Sequence, residues 1–232
     1  MRRLQLKKLI TDLLAENEFE EIQKSLSKYN LQELVSPLIS SFCHPLELVR
    51  WRSITTFGWV VSKIADENPE AARIVMRRLL WSLNDESGGI GWGAPEAMAE
   101  IMCNSTLLRQ EYLHMLLSYM REDGEDIWQD GNFLELPMLQ RGLLWGIGNL
   151  CALFPTLMRE HGVVHDVTQY LRSPDLHVVA MAFRCFSFLG EIPSDRVEDR
   201  LRKSPVVISL YENGQLHSMM LGSIAERCFR VC

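Results

Sequence analysis

Between Asp85 and Glu96 the chain reads Asp-Glu-Ser-Gly-Gly-Ile-Gly-Trp-Gly-Ala-Pro-Glu. Gly88, Gly89, Gly91 and Gly93, ahead of a helix that starts at Pro95, could turn several backbone N–H groups and a positive dipole end toward an anion. This makes the four glycines a candidate anion-binding loop. No strand precedes them, so the dinucleotide fingerprint lacks its context, and no Lys-Ser or Lys-Thr follows as in a P-loop. Asp85 and Glu86 add negative charge nearby. The expected role is a tight interhelical loop that folds Trp92 onto its neighbours, with Gly91 in a backbone conformation that glycine reaches easily.

Aromatic and basic residues supply the second constellation. Trp51, Trp59, Trp81, Trp92, Trp128 and Trp145 are many for 232 residues. Tryptophan and arginine anchor binding surfaces because they cover much area with few freedoms to lose. Arg50, Trp51, Arg52, Trp92, Trp128 and Trp145 are the candidate partner-binding residues, against the plainer reading that tryptophans fill cores. An acidic stretch from Arg121 to Glu135 carries six carboxylates and one cation. Its Asp126, Asp130 and Asn132 do not match an EF-hand loop. His161 and His165 could share a helix face, but two ligands do not make a structural zinc site. No metal site, cofactor or catalytic residue is expected.

The bulk properties narrow the classes. A formal net charge of −6 disfavours nucleic acid, which needs clustered Lys and Arg. No apolar run approaches the roughly 20 residues that span a bilayer. The six cysteines form no Cys-x-x-Cys pair and sit mostly among apolar neighbours, as buried reduced thiols do. A cytoplasmic protein is the expectation.

The elements that must position these residues are helices. Apolar spacing predicts helices over 2–15, from Asn17 as cap through Leu26, and over Leu31–Phe42, Leu48–Ala65, Pro69–Leu83, Ala94–Met102, Thr106–Arg121, Leu134–Leu153, Arg159–Leu171 and Leu176–Ile192. A charged helix follows over Ser194–Lys203. Asn213-Gly214 between β-branched and apolar residues predicts a hairpin over Val206–His217, and Ser218 is the expected cap of a last helix. The ribbon is expected to pack on the final helices and close the end of a stack.

Val49-Arg50, Ser53 and Phe57-Gly58 follow the pattern Val-Arg-x-x-small-x-x-x-apolar-Gly, which lets neighbouring helices approach. Gly58, Glu100, Gly146 and Gly190 recur at spacings of 42, 46 and 44 residues. Two helices per unit at this period resemble HEAT-repeat arrays. Pro37 lies near the family's first-helix proline, whereas the family's usual turn Asp has no counterpart near His44. The similarity extends to uncharacterised bacterial HEAT-like proteins.

The resemblance implies an all-α, α-α superhelix (a HEAT-like solenoid) with a small C-terminal β-hairpin. It is read as one domain over 1–232: an N-terminal helical cap over 1–30, about four helical pairs over 31–192 and a C-terminal cap over 193–232. It implies a non-enzymatic scaffold binding a protein or peptide on a concave face. The alternatives are a HEAT-fold enzyme resembling DNA-alkylation-repair glycosylases, for which Trp51, Trp92, Trp128 and Asp126 or Asp130 match by type only, and a HEAT-like chromophore or cofactor lyase.

Overall fold

The computed structural model describes residues 3–84, 91–122, 132–193, 201 and 203–229. Gly88, Gly89, Asp126, Trp128, Asp130 and the helix expected over Ser194–Lys203 lie outside these residues, Leu201 and Lys203 apart. The chain divides into two compact units. The first comprises 1–112 and 211–216, the second 113–210 and 217–232.

In the first unit the helices are α1 (Arg3–Glu16), α2 (Phe19–Leu26), α3 (Leu31–Ser41), α4 (Glu47–Glu67), α5 (Pro69–Leu83), α6 (Ala94–Asn104) and the first half of α7 (Thr106–Ser118). Helix α4 is the hub, packing against α1, α2, α3, α5 and α6. Its residues Val49, Ile54, Phe57, Val60, Val61 and Ile64 are buried around most of its circumference. A helix apolar on nearly all sides belongs inside a stack.

Local signals fix several boundaries. Asn30 accepts from the Gln32 N–H at 3.0 Å and Asn68 from the Ala71 N–H at 3.1 Å, each satisfying a donor that has no intrahelical partner. Pro69 and Pro95 stand in the first turns of α5 and α6, where a missing N–H costs nothing. The cap of α2 is Glu18, not Asn17, and its side chain makes no capping bond.

Phe42 and Phe57 meet edge to face with centroids 5.2 Å apart. Gly58 touches α6 directly: a Cβ there would lie 2.7 Å from the Glu100 Cβ. The small-residue position of the repeat pattern is thus a real close approach.

In the second unit α8 (Pro137–Leu153) packs on α11 (Leu176–Leu189), which also carries α12 (Leu221–Phe229). The segment expected as one helix over Arg159–Leu171 is instead α9 (Pro155–Glu160), α10 (Val163–Thr168) and a 3-10 turn over Gln169–Arg172. Gly162, with φ +78°, breaks it. His161 and His165 therefore stand on either side of a break and not on one helical face.

Arg184 is a buried cation in this unit. It donates to the Trp145 carbonyl at 3.0 Å and to Asn149 Oδ1 at 2.7 Å, and lies 4.9 Å from the Phe188 ring. Asp175 caps α11 through the His177 and Val178 N–H groups and pairs with Arg141. The Arg141 bond, behind burial, which opposes it, lowers the Asp175 carboxyl below its ordinary value.

The hairpin comprises β1 (Val207–Glu212) and β2 (Gln215–Met220). Asn213 (φ +52°) and Gly214 (φ +79°) supply the two positive φ angles that a type I′ turn needs. Ser218, expected to cap the last helix, lies inside β2. Residues 211–216 belong with the first unit, so the ribbon is not simply packed on the final helices. Gly190 ends α11 in the left-handed conformation with open space beside it. It is a C-cap, not a counterpart of Gly58.

Candidate functional site

The first turns of α4 and α6 bring together the unit's most unusual polar groups. Helix α4 contributes Glu47, Arg50 and Trp51. Glu47 Oε1 accepts from Arg50 Nη2 at 3.5 Å and from the Trp51 indole N–H at 3.4 Å. The Arg50 guanidinium lies 5.8 Å from the Trp51 ring centroid, a cation–π separation. Arg50 and Glu47 are half-exposed.

Trp51 is buried, and its indole lies on the Tyr211 ring at 5.6 Å and 4° from parallel. Tyr211 Oη is 3.4 Å from Thr55 Oγ1. Burial raises the Tyr211 phenol above its ordinary value.

Helix α6 contributes Glu96. Its Oε2 is closed to solvent and has no hydrogen-bond partner. Thr56 Oγ1, in the same unit, shares this condition. A buried acceptor left unpaired costs roughly 1–3 kcal/mol, so it calls for an explanation. Burial pushes the Glu96 carboxyl up to about 7, against its own N–H in the first turn and the charge of Arg50. Glu96 as a whole is half-buried, so its enclosed oxygen lies just beneath the surface.

The loop that leads into α6 carries Trp92, 36% exposed, four residues before Glu96. Gly93 holds the left-handed conformation, φ +74°, with its α-carbon hydrogens against Phe42. At Gly91 the constraint is one of space. Its side-chain position faces Ser82 O and Leu83 Cδ2, each 2.8 Å from where a Cβ would stand. In this loop Gly93 holds the left-handed conformation, and Gly91 is required for space.

The other sequence candidates are placed differently. Arg52 is buried and donates to Leu14 O at 3.2 Å, Ala15 O at 3.5 Å and Glu18 Oε1 at 3.1 Å. It closes the end of α1, whose last carbonyls lack helical partners. Trp145 is buried in α8. Arg121, at the start of the acidic stretch, donates to Asp166 Oδ2 at 2.9 and 3.0 Å and to His161 O at 3.2 Å. Asp166, beside the two histidines, is thus engaged. Among the described residues no group of three or more His, Cys, Asp or Glu could hold a metal.

Sequence reasoning missed Glu96 and Tyr211. The signal for Glu96 was its position as the one charged residue in Ala94–Ala99. A first-turn glutamate ordinarily reads as a dipole partner in water. Tyr211 gave no local signal, because its partner is far away in the chain. Elsewhere in this unit a cleft of about 620 Å³ is lined by Tyr29, Trp59, Lys63 and Glu67 among others.

No family model matches the chain. It is 28% identical over 197 residues to an uncharacterised protein of Archaeoglobus fulgidus, covering 81% of this chain and 91% of that one. Among solved structures it is similar to a designed armadillo repeat protein, with a TM-score of 0.52 and 15% identity over 99% of this chain and 92% of that chain. Another similar structure is a computationally designed armadillo repeat protein for modular peptide recognition, with a TM-score of 0.49 and 13% identity over 97% and 91% of the two chains. The fold is therefore an armadillo- or HEAT-like all-α helical repeat with a small two-stranded antiparallel sheet. Among the described residues no helix is long and apolar enough to cross a membrane.

Proposed function

We propose that this chain is a non-enzymatic binding module that takes a protein or peptide segment over the first turns of α4 and α6. The observation that carries this reading is the half-exposed pair Glu47 and Arg50 beside the buried, unpartnered carboxyl of Glu96, with exposed Trp92 in the loop that leads into the same helix. Exposed aromatic and charged groups beside an enclosed polar atom resemble the unfilled half of an interface, in which anchors gather near the centre. The half-exposed cation here, Arg50, is already paired with Glu47. That supports a protein partner over the phosphates of nucleic acid. Protein binding through an aromatic surface needs no cofactor.

Site-specific photo-cross-linking tests the proposal. A benzophenone amino acid is placed at Trp92 or Arg50, and at exposed Leu153 as a control, in cells of the native organism. The expected result is one recurrent partner segment at positions 92 and 50 and none at 153. Equal labelling at all three positions would sink the reading.

A further inference from the structure

We propose that the first unit carries a second docking surface, at the groove between α1 and α3 and the adjoining face of α5, for an acidic protein segment with apolar side chains. This surface shares no residue with the first turns of α4 and α6. The groove, of about 360 Å³, is lined by Leu4, Lys7, Ser36, Pro37 and Ser40. Pro37 is buried although it lines the groove, so the floor lies below the surface. Leu4, Lys7 and Ser40 are exposed and leave the groove open to solvent.

The hydroxyls of the wall are engaged within the protein. Ser40 Oγ donates to Pro37 O at 2.7 Å, and Ser36 Oγ lies 3.5 Å from Arg78 Nη1 of α5. What the groove offers an occupant is therefore hydrocarbon from Leu4 and Pro37 and positive charge from Lys7 and Arg78. Of the arginines of α5, Arg73 pairs with Glu111 and Arg77 with Glu70. Neither Arg78 nor Lys7 pairs with a carboxylate among the described residues, and none of the residues lining the groove is acidic.

Arg78 also stands between two large apolar side chains left in water. Ile74, four residues before it, is 57% exposed, and Trp81, three residues after it, is 77% exposed. Residues at these separations are neighbours on a helix surface. With Leu4, 80% exposed, they add apolar surface of the kind that marks an interaction site.

Charge complementarity selects the occupant. Cations without partners beside an apolar floor match a segment in which carboxylates flank apolar side chains. The phosphates of nucleic acid would meet Lys7 and Arg78 and leave the floor empty. A flat anionic bilayer would cover Leu4 without reaching the sunken Pro37, whereas a single side chain can enter.

The test is a methyl NMR titration of the intact chain, read at Leu4 and Ile74. The probes are the peptide acetyl-Glu-Glu-Leu-Leu-Glu-Glu amide, a version with Lys for every Glu, and a version with Ser for both Leu. The acidic leucine peptide is expected to shift both residues, and the other two to leave them in place. Lys7→Gln and Arg78→Gln, both at exposed positions, are each expected to weaken this binding about two- to fivefold, the scale of one exposed ion pair, with circular dichroism unchanged. No shift with the acidic leucine peptide, equal shifts with all three, or undiminished binding in both variants overturns the proposal. Phosphatidylglycerol vesicles are the second arm. Sedimentation of wild type with them, lost in Lys7→Gln/Arg78→Gln, while the acidic leucine peptide leaves Leu4 and Ile74 unmoved, would assign the surface to a membrane and overturn the peptide.

Discussion

Trp51 and Tyr211 lie face to face, 5.6 Å between centroids and 4° from parallel, although one stands on helix α4 and the other on strand β1. Both are buried. The pair fastens the hairpin tip to the hub helix of the first unit, directly beside Arg50 and Glu47. Truncating Tyr211 to Ala is expected to cost about 3–5 kcal/mol, as for other buried aromatic residues. A double-mutant cycle with Trp51→Leu and Tyr211→Leu should give a coupling of about 0.5–1.5 kcal/mol. Additive effects in urea unfolding would show that the two rings do not support one another.

Glu96 makes stability depend on pH. Its folded-state value near 7 exceeds the ordinary 4.5, so between those values the folded chain holds the proton more tightly than the unfolded one. The contribution is fully present below about pH 4.5 and is lost as pH rises through 7, by roughly 3 kcal/mol at most at about 1.4 kcal/mol per unit. Urea unfolding at pH 5 and pH 8 should show this loss in wild type. Glu96→Gln should remove it, and an unchanged difference in that variant would point to another group.

Gly58 and Gly190 should respond differently to alanine. At Gly58 the new Cβ would stand 2.7 Å from Glu100 Cβ and 2.8 Å from its carbonyl carbon, so α4 and α6 must separate. A loss of about 1–3 kcal/mol is expected, outweighing alanine's better helix propensity. At Gly190 there is open space, and the cost is the left-handed backbone alone, on the order of 1 kcal/mol. Thermal melting of both variants, with Gly58→Ser as a further step in size, checks the order.

Thiol chemistry should divide the cysteines. Cys43 is exposed, whereas Cys151, Cys185 and Cys228 are buried. The hydrogen bond with Cys185, and then burial, pushes the Cys151 thiol above its ordinary value, and burial pushes Cys228 up to about 12. Since the thiolate is the reactive form, maleimide at pH 7 should label Cys43 within minutes. The three buried thiols should react only after unfolding, as read by peptide mass mapping. Native labelling of Cys151 at the rate of Cys43 would contradict the burial.

What was legible in the sequence follows from the range of each signal. Helix α5 appears with the expected bounds, Pro69–Leu83, because Asn68 and Pro69 are local punctuation. The Asn213-Gly214 turn was equally plain, since its two positive φ angles belong to those residues themselves. Gly162 was not recognised as a break, and one expected helix became two and a 3-10 turn, because an apolar period runs on through a glycine. Trp92 and Arg50 were singled out by residue type, and the structure leaves both partly exposed. Arg52 and Trp145 shared those types, and only packing put them inside. Glu96 required knowing which face of α6 meets α4, and a single helix does not contain that information.

The hairpin tip has a consequence for the order in which the protein is made. The first unit consists of residues 1–112 and 211–216, so its final piece leaves the ribosome after nearly a hundred intervening residues have been synthesised. Closing so long a segment is entropically slow to begin yet only weakly dependent on its length. Until then the Trp51 indole lacks its Tyr211 lid and Glu18 lacks the Gln215 amide that bonds it at 3.0 Å. During synthesis the nascent chain therefore passes through a stage in which the wall beside Arg50 and Glu47 is open, and it closes only after residues 211–216 have been made.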